Sequence, residues 1–450
     1  MRLAAFKAYD VRGRLGVELN ADIVRRIARA FAEVTGARRV VLGRDCRLSS
    51  EGLAGAVVQG LGGAEVLDLG LCGTEEVYFA TSHLRADGGI VVTASHNPMD
   101  YNGLKMVGRG SVPLSEAEFQ AIRDLAERGE FRAVPGGSVV PMPKVRAGYV
   151  ARVLGFVDVA RLRPLTVLVN CGNGTAGPTF DALAAGLAPL RFVRMFHDPD
   201  GRFPNGIPNP MLAENQPVTA AGVVAAGADL GVAFDGDFDR CFLFDATGAF
   251  VPGEYVVALL AKAFLAKEPG AVVIHDPRVV WNTRDVVARA GGRAVMARTG
   301  HVFVKRAMHV TGAVYGGEMS AHHYFRDFMG CDSGMIPWLL VVELMGRTGL
   351  PLADLVAGMR ARFPSSGEIN LTVPDVAAAV ARVAAALAGA ALVRDDTDGL
   401  SLEFAEWRLN VRASNTEPLL RLNVEARGDA GLVAAGVAQV RALVSGAHEI

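Results

Sequence analysis

The stretch Leu230-Gly231-Val232-Ala233-Phe234-Asp235-Gly236-Asp237-Phe238-Asp239-Arg240 carries five apolar residues straight into three carboxylates at every second position. An uninterrupted apolar run of this length reads as a buried strand, and a solvated acidic turn is a poor continuation of it. Gly236 permits a tight turn. Asp235, Asp237 and Asp239 can then converge on one hard cation, and magnesium favours a few carboxylates together with a phosphate oxygen. The spacing also resembles the start of an EF-hand, but Arg240 stands where that loop needs glycine and Ala246 where it needs glutamate.

Outward from this strand the pattern repeats. Val40–Gly43 reads as a strand followed by a helix over Ser49–Gly62 with a serine cap. Gly89–Val92, Leu165–Val169, Val272–His275 and Ala313–Tyr315 read as further strands, with a helix opening at Pro178 after the second. Strand–helix alternation of this kind predicts α/β layers with mixed, largely parallel sheets. The last eighty or so residues differ. An Ala-rich helix, Val376–Leu387, precedes strands at Leu400–Phe404, Trp407–Val411 and Leu419–Glu425 and then a closing helix, the pattern of a smaller α+β domain. Seams near Pro143, near Gly248 and at Phe363–Asn370 divide the chain into 1–144, 145–247, 248–364 and 365–450. The expected fold is three consecutive α/β domains and a C-terminal α+β domain.

Composition narrows the function. With 46 basic and 47 acidic residues the net charge is −1, so no global field gathers nucleic acid or an acidic membrane surface. Only six of the basic residues are lysines, which makes Lys105 and Lys305 more noticeable. The five cysteines are far apart and predict reduced, buried thiols instead of zinc or disulfides. The N-terminus lacks a signal-peptide pattern, and the apolar segment Val376–Val393 is interrupted by Arg382 and too short to span a bilayer. A cytoplasmic protein acting on small ligands, with no nucleic-acid or membrane partner, is expected.

Three further loops carry chemistry. Thr93-Ala94-Ser95-His96-Asn97-Pro98 follows a buried strand, which would hold the Ser95 hydroxyl on a rigid element. Adjacent side chains on a turn usually point apart, so Ser95 and His96 are weak as a nucleophile–base pair, and an ordinary polar turn is the competing interpretation. Gly316-Gly317-Glu318-Met319-Ser320-Ala321-His322-His323 places Glu318 and Ser320 on one side of an extended loop, where both could bond sugar hydroxyls. Its two histidines lack metal-ligand spacing and suit hydrogen-bonding or structural roles. Arg412-Ala413-Ser414-Asn415-Thr416-Glu417-Pro418 combines a guanidinium, hydroxyls and an amide into an anion cradle, with a polar hairpin turn as the alternative. Gly172-Asn173-Gly174-Thr175-Ala176-Gly177 matches the dinucleotide fingerprint, yet that interpretation leaves the acidic and anion loops unexplained. A tight strand-to-helix turn is expected there.

In this order the four loops resemble the phosphoserine, metal, sugar and phosphate loops of the α-D-phosphohexomutase superfamily. Phe6-Lys7-Ala8-Tyr9-Asp10-Val11-Arg12-Gly13, Asp100-Tyr101-Asn102-Gly103-Leu104-Lys105, Phe203-Pro204-Asn205-Gly206 and Thr299-Gly300-His301-Val302-Phe303-Val304-Lys305 extend the likeness over essentially the whole chain. Glu318-Met319-Ser320 resembles the mannose/glucose type of sugar loop. So does Ala321-His322-His323-Tyr324-Phe325-Arg326-Asp327-Phe328, with the mild departure that Ala321 replaces glycine.

The resemblance implies a domain each for phosphoserine, metal, sugar and phosphate around a central cleft. It implies interconversion of mannose 6-phosphate and mannose 1-phosphate through a phosphorylated Ser95 and a hexose 1,6-bisphosphate that also activates the enzyme. Glucose or glucosamine phosphates, or a metal-dependent sugar phosphatase, are the alternatives. One Mg²⁺ per chain would be held by Asp235, Asp237, Asp239 and a phosphoserine oxygen of Ser95. Lys105, Arg12 and His301 are candidates for proton transfer or for stabilising the bisphosphate, Lys105 first, with His96 orienting. Arg240, Arg278, Gly300, His301, Glu318, Ser320 and His322, with Arg412, Ser414, Asn415 and Thr416, would bind the phosphosugar. The assembly expected is a monomer or homodimer.

Overall fold

The computed structural model describes residues 2–132, 136–278, 280–414 and 419–444, and the backbone of 448–449. They form two compact units: Met1–Phe250 with Asp327–Gly349, and Val251–Arg326 with Leu350–Ile450.

The first unit contains two α/β sheets. In one, the strands run Val11–Arg14, Tyr101–Gly108, Gly88–Val92, Arg39–Arg44, Glu65–Leu71, Ser138–Pro141. Pairing is antiparallel through Tyr101–Gly108 and parallel from Gly88–Val92 onward. Loops at the carboxyl ends of the parallel strands therefore share one edge, the usual place for ligand chemistry in open α/β sheets. The other sheet places Leu230–Phe234 between Cys241–Asp245, antiparallel, and Thr166–Asn170, parallel, with Arg191–Met195 beyond. Leu230–Phe234 is buried at every position, as a strand covered on both faces must be. Helix Met335–Thr348 packs Trp338 edge-on against Phe192, their ring centroids 6.1 Å apart.

Local signals set many helix ends. Asn20 accepts from the Ile23 amide to open Ala21–Thr35, and Gly36 closes it in the left-handed conformation. Ser115 and Glu118 form a capping box for Glu116–Arg128. Two expectations shift. Ser49 makes no cap bond ahead of Ser50–Leu61, and its hydroxyl accepts from Asn102 at 2.8 Å instead. The helix expected to open at Pro178 starts at Ala176, leaving Pro178 in the first turn, where a missing N–H costs little.

In the second unit, the strands Arg293–Met296, Val272–His275 and Tyr315–Gly317 are parallel, and His323–Phe325 adds antiparallel. The C-terminal six-stranded sheet runs Val393–Asp395, Leu400–Glu403, Trp407–Ala413, Leu420–Ala426, Ser365–Thr372, His448–Glu449 and is antiparallel. Helices Val376–Leu387 and Ala430–Leu443 bury Ala379, Val383, Val433 and Val440 against it. The fold is thus mixed α/β sheets followed by an antiparallel α+β domain, as expected. The segment around Pro364–Gly367, expected to interrupt the pattern, instead enters the strand Ser365–Thr372, and a bulge between Ser365 and Glu368 absorbs the irregular residues. All five cysteines are free, Cys46 being the one not fully buried. Among the described residues no helix is long and apolar enough to cross a membrane.

Glu254, in the first turn of helix Gly253–Lys267, is 2% exposed, and its Oε2 has no hydrogen-bond partner among the described residues. Burial pushes its carboxyl up to about 7, against a bond from Ser365, and Glu425 and Asp276 add to the rise. A native carboxyl that holds its proton above the unfolded value loses stability as pH rises through the interval from 4.5 to about 7. Glu254→Gln is expected to remove most of that loss, up to ~3 kcal/mol. Urea midpoints of both proteins at pH 4.5 and pH 8 check it: the variant should gain relative to the parent only at the higher pH, and an equal difference at both would refute the assignment.

Candidate active site

In the first unit, Ser95 lies just past strand Gly88–Val92 with φ +49°, a left-handed conformation uncommon for a residue with a side chain. Its Oγ donates to Asp235 Oδ2 at 2.5 Å and lies 2.9 Å from His96 Nδ1. The expectation that these neighbouring side chains point apart is therefore corrected, since the left-handed turn at Ser95 brings hydroxyl and ring together. Arg240 donates to His96 Nδ1 and to Asp235, through Nε at 3.1 Å and Nη2 at 2.9 Å. Burial, then Arg240 and Arg12, hold the His96 imidazole well below its ordinary pKa. A neutral ring already accepting from Arg240 orients the serine more than it activates it.

The carboxylates of Asp235, Asp237 and Asp239 are all buried and offer oxygens within 4.8 Å of one another. Asp237 Oδ2 accepts from Thr74 Oγ1 (2.6 Å), Thr93 Oγ1 (3.1 Å) and Lys105 Nζ (2.7 Å). Lys105 also reaches Asp239 Oδ2 at 2.5 Å. Burial opposes charge on both Lys105 and Asp237, yet their mutual attraction outweighs it: the carboxyl is held well below the usual range and the ammonium well above. Asp237 Oδ1 has no hydrogen-bond partner among the described residues. The residues fit a divalent cation, because the donors are hard carboxylate oxygens and one buried oxygen is left unsatisfied. Gly236 is required here. A Cβ at that position would come within 2.4 Å of the Ser95 carbonyl oxygen, so only glycine lets the acidic loop pack directly on the serine. Gly174 packs against Gly236 in turn, a Cβ there lying 2.7 Å from the Gly236 carbonyl oxygen. The apparent dinucleotide fingerprint is thus a backbone support for the acidic loop. Arg12 completes the group, donating to the Ala94 carbonyl at 3.1 Å and to Asn97 Oδ1 at 2.6 Å.

In the second unit, Arg278 is the hub. Asp276 receives its Nε at 2.9 Å and also accepts from the Met319 amide at 2.8 Å, tying the arginine to the glutamate-bearing loop. Arg278 Nη2 reaches Ser320 Oγ at 3.3 Å and stands 3.9 Å from Glu318 Oε1. Glu318 and Ser320 therefore face the same side, as their spacing predicts. Glu318 is fixed by the Gly300 amide (2.7 Å) and the Tyr324 hydroxyl (2.6 Å). His301 opens helix His301–Thr311 beside Gly300, and the His322 ring stacks on Tyr324 with centroids 6.2 Å apart. His323 accepts its structural role: it is buried, 2.7 Å from the Tyr315 hydroxyl, and burial lowers its pKa to about 3. Ala321 adopts φ +66°, so the alanine that replaces glycine occupies a conformation glycine would hold more easily.

Arg412 (2.9 Å), Arg421 (3.2 Å) and Arg278 (3.5 Å) converge on the Glu368 carboxylate. With Asp276 and Glu318 also beside Arg278, three guanidinium groups meet three carboxylates, and the guanidinium forks supply the N–H donors that an anionic group would need. The Ser414 amide donates to the Leu419 carbonyl at 2.9 Å. Asn415 and Thr416 lie outside the described residues. The sequence did not single out Asp45, Arg47, Thr74, Asp276, Tyr324, Glu368 or Arg421. Asp276 directly follows the expected strand Val272–His275, and Asp45 lies two residues past the expected strand Val40–Gly43, which was the available signal.

A serine hydroxyl held on a buried, cation-competent carboxylate cluster is the equipment of a phosphoryl-transfer enzyme. Comparison with known proteins agrees. Models of the phosphoglucomutase/phosphomannomutase family match residues 3–133 (alpha/beta/alpha domain I), 147–248 (domain II), 252–363 (domain III) and 368–443 (C-terminal domain). A phosphomannomutase of Salmonella montevideo is 54% identical, covering 98% of this chain and 99% of the relative. A Xanthomonas campestris protein described as phosphohexose mutases is 53% identical, covering 99% and 100%. The crystal structure of a phosphoglucomutase/phosphomannomutase family protein from Burkholderia thailandensis superposes with a TM-score of 0.89 at 35% identity, covering 100% of this chain and 99% of that one. The chain belongs to the phosphoglucomutase/phosphomannomutase family.

Proposed function

We propose that this protein is a Mg²⁺-dependent phosphosugar mutase that interconverts mannose 6-phosphate and mannose 1-phosphate, with Ser95 as the phosphoryl carrier. The observation that carries this is Ser95 Oγ, 2.5 Å from a carboxylate of the buried acidic cluster. Full-length relatives named phosphomannomutase support mannose as the first substrate. Asp235, Asp237, Asp239 and a Ser95 oxygen would hold Mg²⁺, which when bound supplies positive charge opposite the transferring phosphoryl group.

The chain's own groups do the rest. The phosphoryl group on Ser95 would pass to the sugar hydroxyl, the Oγ–P bond breaking as the sugar O–P bond forms; the proton lost by the sugar hydroxyl ends on Ser95 Oγ, which then donates to Asp235 as seen here. Lys105 and Arg12 place positive charge beside the serine loop, with Lys105 bridging the two carboxylates. In the other unit, Glu318 and Ser320 would grip sugar hydroxyls. Arg278 and Arg412 would hold the phosphate not reacting, with Ser414, Asn415 and Thr416, while Gly300, His301 and His322 line the sugar loop's surroundings. The hexose 1,6-bisphosphate turns over and returns its other phosphate to Ser95. We place the enzyme in the cytoplasm, as a monomer or homodimer.

A coupled assay on mannose, glucose and glucosamine 1-phosphates tests the proposal, using a trace of hexose 1,6-bisphosphate with Mg²⁺ or with EDTA. Mannose 1-phosphate should give the highest kcat/KM and EDTA should abolish turnover. Inorganic phosphate released without isomer would make the protein a phosphatase instead.

A further inference from the structure

Arg47 lies in Asp45-Cys46-Arg47-Leu48-Ser49, the loop between strand Arg39–Arg44 and helix Ser50–Leu61. It is 3% exposed. Its Nη1 donates to the carbonyls of Pro98 (2.7 Å) and Tyr101 (3.2 Å), and its Nη2 to those of Ser95 (2.9 Å) and Asn97 (2.6 Å). One guanidinium thus ties together three carbonyl oxygens of the serine loop and that of Tyr101, where the next strand begins. The guanidinium is itself held from two sides. Asp45 Oδ2 stands 3.4 Å from Nε, and the Phe203 ring lies under the group with its centroid 5.3 Å away. Asp45 reaches the serine loop as well, accepting from the Ala94 amide at 3.3 Å, and is anchored by the Arg47 amide (2.9 Å) and Ser50 Oγ (2.5 Å).

We propose that Arg47, braced by Asp45, is a positioning residue for phosphoryl transfer: it fixes the left-handed turn at Ser95 and so aims Ser95 Oγ at the carboxylate cluster. The physical case rests on what that turn demands. A residue with a side chain at φ +49° is strained unless its surroundings over-determine it. The Ser95 carbonyl is fixed from two directions, by Arg47 Nη2 and by the close approach of Gly236, whose absent side chain leaves just enough room. Only a planar fork with several donors can span four carbonyls at once. A lysine ammonium keeps the charge but concentrates its donors at a single point. The inference rests on the mutase reading of Ser95.

The test compares wild type, Arg47→Lys and Asp45→Asn, each loaded with hexose 1,6-bisphosphate. It reads kcat and KM for mannose 1-phosphate, the ³¹P resonance of the phosphoserine, and the urea midpoint. For Arg47→Lys, kcat should fall about 100-fold, the cost of misplacing a reacting group by around an ångström, with KM changed by less than about threefold and the ³¹P resonance shifted. Asp45→Asn is nearly isosteric and keeps one acceptor oxygen for the Arg47 amide and Ser50 Oγ, while its NH₂ replaces the oxygen that accepts from the Ala94 amide and faces Arg47 Nε, so it loosens the brace without a change of volume. It should lose about tenfold in kcat, and it carries the test if the lysine variant does not fold. A purely structural role would lower the urea midpoint while leaving kcat of the folded protein and the ³¹P resonance as in wild type, and that result would overturn the proposal. Wild type without mutase turnover would refute the reading of Ser95 itself. Active wild type with unaffected variants would refute only the role of Arg47.

Discussion

Ser95→Ala is expected to abolish mutase turnover, by on the order of 10⁴-fold or more, and to lack the covalent phosphate that intact-protein mass spectrometry of the parent should show. The size of the effect follows from the chemistry. A transferred group that begins on the enzyme has no second donor when its carrier is removed, and losing a nucleophile forfeits most of the rate enhancement that depends on it. The change is small in structural terms. It deletes one hydroxyl, the donor to Asp235 and the neighbour of His96, and leaves Arg240 bonded to both partners. The variant should therefore fold and bind phosphosugar. A wild-type enzyme that is fully active with no phosphate adduct, and indifferent to added bisphosphate, would sink the assignment.

Lys105→Met should produce two separate losses. Removing a preorganised charge beside the reacting group is expected to raise the barrier by about 3 kcal/mol, roughly 150-fold in kcat. It also leaves Asp237 and Asp239 buried without their shared ammonium, 2.7 and 2.5 Å away in the parent. Breaking a buried ion pair by deleting one partner costs about 3–5 kcal/mol, because the remaining charge stays out of water. That second loss should depend on metal. In EDTA the variant's urea midpoint should drop sharply, and in saturating Mg²⁺ it should recover much of the difference, while kcat stays low. Near-normal turnover would remove Lys105 from the mechanism. A stability loss identical with and without Mg²⁺ would argue that the ion and the ammonium do not share these carboxylates.

The way the two units were legible differs by element. Leu230–Phe234, Val272–His275 and helix Val376–Leu387 occur where their apolar patterns predict, residue for residue. The strand expected at Ala313–Tyr315 runs instead over Tyr315–Gly317. Ala313 and Val314 are buried and apolar, which imitates a strand, whereas pairing with Ile274 and His275 falls on Gly316 and Gly317, whose lack of side chains hides them from any apolar pattern.

The sequence by itself determined that this chain is layered α/β, and it pointed to loops directly after buried strands as the candidate sites, since both follow from residue type and short-range spacing. It also placed the serine, the acidic triplet, the Glu318 loop and the Arg412 loop. Only the tertiary structure decided how those loops are held. Lys105 meets Asp237 across 132 residues of chain, and Arg278 meets Glu368 across 90. Glu368 and Arg47 acquire their roles through such long-range contacts, and Asp276 joins its near neighbour Arg278 to Met319, 43 residues on. The contact of Ser95 with His96 is local in sequence but depends on a left-handed turn that Arg47 and the packing of Gly236 impose from elsewhere in the chain. Spacing along a chain sets which groups are available. Backbone conformation and burial, which are properties of the whole fold, set where those groups point and what charge they carry.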